Sequence, residues 1–294
     1  MHAEITPYRR FSAESKVGVR EQVGAGAWIV LSFGRNKVPM SRTQDITRSV
    51  RAALIAHADE PVAPVISGHG PGDDPTSHLG VLVLPNVTNP RSDGLVQGVA
   101  LMLPAQLRDR DRASIDRALA NWRNSNGHYE LRLPGGFAGL LAEAVFHTAN
   151  PTSRGVEHGV TSRGYWARTA HTWSTVTPVV LDRHPKTKPS ADFDTVTAAV
   201  APIVADMCER SGLPRPRQIN VSRAPVWPTV PVVGKTSNGR LAFPVFRVGG
   251  DGPRKFTTHV GLVFPEPVQG PIVLGAGRYF GYGLLYPTPT GAMP

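Results

Sequence analysis

The chain has 294 residues, 40% of them hydrophobic and 18% charged, a composition that folds rather than stays disordered and a length that suits two domains. Lys and Arg outnumber Asp and Glu by 32 to 22, for a formal charge of +10, and 26 of the 32 cations are Arg; nucleic acid suits such a surface better than a lipid face, which calls for an amphipathic basic segment. The single cysteine, Cys208, excludes an internal disulfide and a cysteine-based zinc cluster, and without an apolar N-terminal region or an apolar run of about 18 residues a cytoplasmic location and no membrane contact are expected.

Residues 1–22 are polar and basic and read as a tail or linker. Ala27 to Phe33 (AWIVLSF) is rich in strand formers. Ser41-Arg-Thr-Gln44 has the spacing of a capping box, and Ile46, Val50, Ala53 and Leu54 follow at helical intervals, with Arg42, Arg48 and Arg51 elsewhere on the wheel. A Gly/Pro/Asp loop spans 64–77. Two strands, His78 to Leu84 and Leu95 to Leu103, flank an Asn/Pro/Asp/Gly turn. A helix over 105–124 carries Arg108, Arg110, Arg112, Arg117 and Arg123 interleaved with Asp109, Asp111 and Asp116, so pairing within the helix is expected. Tyr129 to Leu133 is expected to close the unit.

The order strand, helix, strand, strand, helix, strand is the ferredoxin-like unit. After an irregular basic stretch over 148–172, the second half repeats it. Thr175 to Leu181 reads as a strand. Phe193, Val196, Val200, Ile203 and Met207 mark a helix that Pro202 should kink and Gly212-Leu-Pro214 should stop. Arg217 to Arg223, Phe256 to Phe264 and Gly283 to Tyr286 read as strands. The expected fold class is therefore α+β, with tandem ferredoxin-like (RRM-like) domains at 23–147 and 173–294 joined by a connection at 148–172. Such a doubled platform with basic surfaces suits single-stranded RNA.

The sharpest motif runs from Gly270 to Gly283, GPIVLGAGRYFGYG. Gly275, Gly277, Gly281 and Gly283 allow close backbone approach, Arg278 offers a fork for phosphate, and Tyr279, Phe280 and Tyr282 offer stacking faces. A Gly-rich turn with its aromatics in the core fits the spacing equally well. No long helix or later acidic residue follows, so the run is not a dinucleotide fingerprint, and Gly234-Lys235-Thr236 lacks the upstream glycine of a P-loop because position 229 is Thr. A second cationic run, Asp182-Arg-His-Pro-Lys-Thr-Lys188, places Arg183, His184, Lys186 and Lys188 at a strand end, where they either clamp phosphate or form a solvated loop.

Three segments together resemble the RAMP superfamily of CRISPR-associated proteins, whose hallmark is a C-terminal Gly-rich loop. They are Ser67-Gly68-His69 with His78-Leu79, then Trp173 to Lys186, then Pro267 through Gly283. More narrowly, the sequence resembles the processing half of the fused backbone–endoribonuclease subunit of the type I-G (I-U) Cascade complex, over about residues 24 to 290; the long N-terminal backbone-like half has no counterpart here. The resemblance implies an endoribonuclease that cuts CRISPR repeat RNA by attack of a ribose 2′-hydroxyl on the adjacent phosphate, needs no metal or other cofactor, keeps its product hairpin (crRNA) and works beside other Cascade-type subunits.

Such a reaction calls for a general base and a general acid, and histidine is the usual one near neutral pH. Of ten histidines, His69 in the Gly/Pro loop and His78 at a strand mouth are favoured as catalytic, with His259 in reserve. The expected RNA contacts are Arg183, His184, Lys186, Lys188, His259, Gly275, Gly277, Arg278, Tyr279, Gly281 and Gly283. Two alternatives stay open. One is a catalytically silent crRNA-binding subunit. The other is a metal-dependent hydrolase using His69, Asp73, Asp74 and His78, whose spacing matches no metal signature.

Overall fold

The apolar run Trp28–Ser32 forms β1, buried along nearly its whole length, as a strand covered on both faces must be. The computed structural model describes residues 26–68, 78–88, 91–134, 137–145 (backbone only), 159–187, 192–234, 242–247 and 252–288. After β1 come β2 (Val38–Pro39), a 3-10 turn (Met40–Arg42), α1 (Thr43–Ala56), the short α2 (Pro64–Ser67), β3 (Gly80–Pro85), β4 (Leu95–Met102), α3 (Asp109–Trp122), β5 (Tyr129–Leu133) and β6 (Phe137–Val145). The second half holds α4 (Arg163–Trp166), β7 (Thr169–Thr175), β8 (Val179–Val180), α5 (Phe193–Arg210), β9 (Gln218–Ser222), β10 (Thr257–Gln269), β11 (Ile272–Val273) and β12 (Leu284–Pro287).

The strands form two antiparallel sheets in a mixed α/β architecture. In the first, β1 lies between β4 and β6, β3 pairs with the far edge of β4, and β5 forms a hairpin with β6. In the second, β7 lies between β10 and β12, and β9 pairs with β10. Where the first half returns to its central strand through α3, the second returns from β10 through β11 and the Gly-rich segment 274–283 to β12.

Helix α1 buries Ile46, Val50 and Leu54, three of the four residues its 3.6-residue spacing singled out, and packs the fourth, Ala53, partly buried against the same core. Helix α5 runs past Pro202 to Arg210 and ends as the sequence foretold. Gly212 takes a left-handed φ of 77°, and the amides of Gly212 and Leu213 bond back to Glu209 and Cys208 at 3.1 and 3.0 Å, a Schellman closure. Cys208 is fully buried, and burial pushes its thiol up to about 12. Among the described residues no helix is long and apolar enough to cross a membrane.

Four local expectations are corrected. The capping box does not form: α1 starts at Thr43 with no side-chain cap, because a 3-10 turn occupies Met40–Arg42 and Gln44 points instead at Val245 O and the Tyr282 hydroxyl. The strand expected at Thr175 to Leu181 is broken after Thr175, since Pro178 cannot donate to a ladder. β7 already begins at Thr169, inside the stretch expected as a connection. The strand beside β1 is β6 rather than Tyr129–Leu133, which pairs with β6 from outside.

Candidate functional site

The Gly-rich segment folds back onto the first half of the chain. Val81 N donates to Tyr279 O at 3.2 Å, and Val81 and Phe280 form a parallel bridge between β3 and the loop. From α1, Gln44 Nε2 donates to the Tyr282 hydroxyl at 2.8 Å and Thr47 Oγ1 donates to Phe280 O at 3.4 Å. A methyl group on Gly281 would lie 2.8 Å from Thr43 Cγ2, so glycine lets the loop seat on α1.

This seam brings together residues from distant parts of the sequence. The His78 ring sits 4.1 Å, centroid to centroid, from Tyr279 at a 39° tilt. On the same loop Arg278 lies with its guanidinium 4.6 Å from the Tyr279 ring, and its Nη1 donates to Gly275 O at 3.2 Å. Gly80 is glycine for the same reason as Gly281: a methyl there would meet Met102 Cε at 2.8 Å and Tyr279 Cδ1 at 3.1 Å. Gly68, the residue before His69, packs near the His78 ring: a Cβ there would lie 3.7 Å from His78 Cδ2. His69 itself lies outside the described residues.

Arg51 of α1 organises this corner and was not singled out by the sequence. Its Nη1 donates to Ile66 O at 3.2 Å, and its Nη2 donates to Leu79 O at 3.0 Å. These carbonyls belong to the two stems of the stretch that carries both favoured histidines, and Leu79 N closes the stems by bonding Val65 O at 2.9 Å. The Arg51 guanidinium also lies 5.5 Å from the centre of the Phe280 ring, and burial lowers its pKa from the usual guanidinium value. The helical wheel places Arg51 off the core stripe, which reads as solvent-facing; only the tertiary fold turns that side toward the seam.

The glycines of the loop serve the chain's own packing more than an open cradle. The amides of Ala276, Arg278, Phe280, Tyr282 and Gly283 are taken by Val180, Gly275, Gly277, Gly277 and Pro178 carbonyls. Gly275 and Gly283 have φ of 95° and 77°, and a methyl on Gly283 would stand 1.8 Å from Leu274 O. Tyr282, offered by the sequence as a stacking face, is fully buried and donates to Pro244 O at 2.7 Å; burial raises its pKa.

The expected RNA contact at His259 is also corrected. Its ring is 2% exposed, with Nε2 bonded to Pro231 O at 3.1 Å and Nδ1 to Thr175 Oγ1 at 3.0 Å. Burial pulls its pKa down to about 4, against the Pro231 carbonyl, which favours the cation. The neutral ring is thus a core crosslink between β7 and β10. In the basic run, Arg183, His184 and Lys186 are exposed. Arg183 pairs with Asp206 at 2.5 Å, and His184 Nδ1 lies 3.0 Å from Pro185 O. The run leaves directly from β8, whose Val180 O holds Ala276 of the Gly-rich segment. Lys188 lies outside the described residues.

The arginines at the start of α3 and within it pair as expected, Arg108 with Asp111 at 2.6 Å and Arg112 with Asp116 at 2.9 Å, while Arg117 reaches Asp59 at 2.6 Å. A shallow cavity of about 330 Å³ beside them is lined by Arg108, Arg110, Asp111 and Arg117. Among the described residues no three His, Cys, Asp or Glu side chains assemble a metal set; His69, Asp73 and Asp74 lie outside them.

The model of a CRISPR-associated family, GSU0054, matches residues 15–287. No curated protein matches the chain. Two solved structures are similar to it: one described as a RAMP protein binding different RNA substrates, at 12% identity and a TM-score of 0.39, and the crystal structure of Cas6b, at 7% identity and a TM-score of 0.46. Each covers 89% of this chain and 98% of its own.

Proposed function

The chain belongs to the CRISPR-associated GSU0054 family, and from that premise we propose that it binds CRISPR repeat RNA and cuts it within the repeat, with the seam between β3 and the Gly-rich segment as the active site. The observation that carries this reading is the placement of the His78 ring against Tyr279 of the loop, beside the stem that leads into His69. The strand orders of the two sheets, each with its first strand between its fourth and its last, support the tandem ferredoxin-like assignment, with domains at about 23–147 and 173–294.

In the proposed reaction one group takes the proton of a ribose 2′-hydroxyl. The O2′–P bond forms, the P–O5′ bond breaks, and a second group protonates the departing 5′-oxygen. This leaves a 2′,3′-cyclic phosphate and a 5′-hydroxyl end. His78 and His69 are the proposed acid–base pair, since imidazole exchanges a proton near neutral pH. Arg278 shares with His78 a contact with Tyr279, and it is assigned to the charge that develops on the phosphoryl oxygens. The step as written uses no metal. Arg183 and Lys186 are assigned to the RNA backbone away from the cut.

The test is incubation of the chain with labelled repeat RNA from its own CRISPR array, in excess EDTA, against His69→Ala and His78→Ala. A single cut that either variant abolishes is the expected result. Tight binding with no cut by the wild type would replace this reading with that of a silent crRNA-binding subunit. A cut that needs a divalent ion would point to the metal-dependent alternative.

A further inference from the structure

Among the described residues of the Gly-rich loop, Phe280 is the aromatic that faces solvent. It is 36% exposed, while Tyr279 is 8% exposed and Tyr282 fully buried. The exposure does not come from a loose backbone. Phe280 N donates to Gly277 O at 2.9 Å, Phe280 O accepts from Thr47, and the residue bridges to Val81 of β3. The ring is fixed as well: Phe246 lies 5.7 Å away at 57°, and the Arg51 guanidinium lies 5.5 Å from its centre. The fold therefore holds an apolar ring at the surface although burying it would be favourable.

The surroundings select the kind of ligand. Arg51 is against the ring, Arg278 is two residues earlier on the same loop, and Arg48 is exposed one turn earlier on α1. An apolar protein side chain would gain nothing from three guanidinium groups. A flat group with a polarisable face and a negative charge attached would use both the ring and the cations, and an unpaired nucleotide is such a group. A paired base has both faces covered by its neighbours in the duplex and cannot stack on the ring.

We propose that Phe280 is a stacking platform for one unpaired base of bound RNA, with Arg48 facing the adjoining phosphate. The proposal rests on the RNA-binding reading above and adds to it that the RNA is single-stranded, or splayed open, where it meets the loop.

The test uses the full chain, fluorescence anisotropy, and two defined probes: a 20-nucleotide oligouridine and a 20-base-pair RNA duplex. Base–aromatic stacking is worth about 1–3 kcal/mol, so Phe280→Leu is expected to weaken oligouridine binding by roughly 5- to 150-fold with no change in salt slope, and to change duplex binding less than about twofold. Phe280→Trp is expected to bind oligouridine as tightly as the wild type or more so. Arg48→Gln is expected to lower the salt slope by about one. Leucine binding oligouridine like the wild type, or losing the duplex equally, overturns the platform. If the leucine variant does not fold, the tryptophan variant decides, and binding weaker than wild type counts against the proposal. Failure of the wild type to bind either RNA removes the RNA-binding reading itself; binding that ignores residue 280 removes only the platform.

Discussion

Arg51 donates to the backbone carbonyl of Leu79 at 3.0 Å while its other terminal nitrogen reaches Ile66 O at 3.2 Å. One side chain thus ties together the stems that lead to His69 and away from His78. Hydrogen bonds from a charged donor are worth about 1.5–3 kcal/mol each and do not add fully. Arg51→Met is therefore expected to destabilise the fold by about 2–4 kcal/mol in urea denaturation. Arg51→Lys, with no fork to span two carbonyls, is expected to restore less than half of that. Single-turnover cleavage by Arg51→Lys is expected to lose rate more than RNA affinity, which separates a positioning role from a merely structural one.

His78 and Tyr279 can be separated by their expected effects. His78→Ala is expected to slow cleavage by about 10²–10⁴, the usual contribution of a general acid or base, with RNA affinity within about threefold. Tyr279→Phe keeps the ring beneath His78 and is expected to cost less than about tenfold. Tyr279→Ala removes the support and is expected to fall between the two. Equal cleavage by His78→Ala and wild type would remove His78 from the chemistry.

Glycine positions divide by what surrounds them. Gly283 and Gly34 both have positive φ, 77° and 56°, but a methyl on Gly283 would meet Leu274 O at 1.8 Å and one on Gly34 would meet nothing within 4 Å. Gly34→Ala is expected to cost about 1–2 kcal/mol from the left-handed backbone alone. Gly283→Ala is expected to cost more than about 4 kcal/mol or to prevent folding. Thermal melts of the two variants check this.

The buried His259 predicts the acid side of the stability curve. Its folded pKa is drawn down to about 4, below the ordinary value near 6.5. Between these values the unfolded chain binds the proton and the folded chain does not, so stability falls as pH drops from about 6.5 to about 4 and this contribution flattens below that. The loss from this group is on the order of 3 kcal/mol. A His259→Gln variant, compared by urea denaturation at pH 7 and pH 4.5, is expected to lose less stability on acidification than the wild type.

Much of the framework was legible because it rests on local pattern. The periodicity of Ile46, Val50 and Leu54 gave α1, and the stop at Gly212 gave the end of α5. β6 was not legible: FAGLLAEAV carries alanine, leucine and glutamate, which favour helix, and its strand state comes from pairing with β1 and β5. The capping-box pattern at Ser41 was overruled because Gln44 had a tertiary partner in Tyr282. In the site, His78 and the Gly-rich segment could each be picked out as residues, but not their contact. Arg51 gave no signal, since an arginine on a wheel looks the same whether it faces water or the carbonyls of a distant stem. His259 and Tyr282 misled for the converse reason: residue type does not report burial.

The contacts that close the seam join residues far apart in the chain: Gln44 and Tyr282 are separated by 238 positions, and Thr47 and Phe280 by 233. At a synthesis rate of about 5–20 residues per second, the helix that receives the loop waits on the order of ten to fifty seconds for it. A nascent chain lacks this seam until the Gly-rich segment has left the ribosome, so the active site proposed on it is completed long after α1 and β3 have been made.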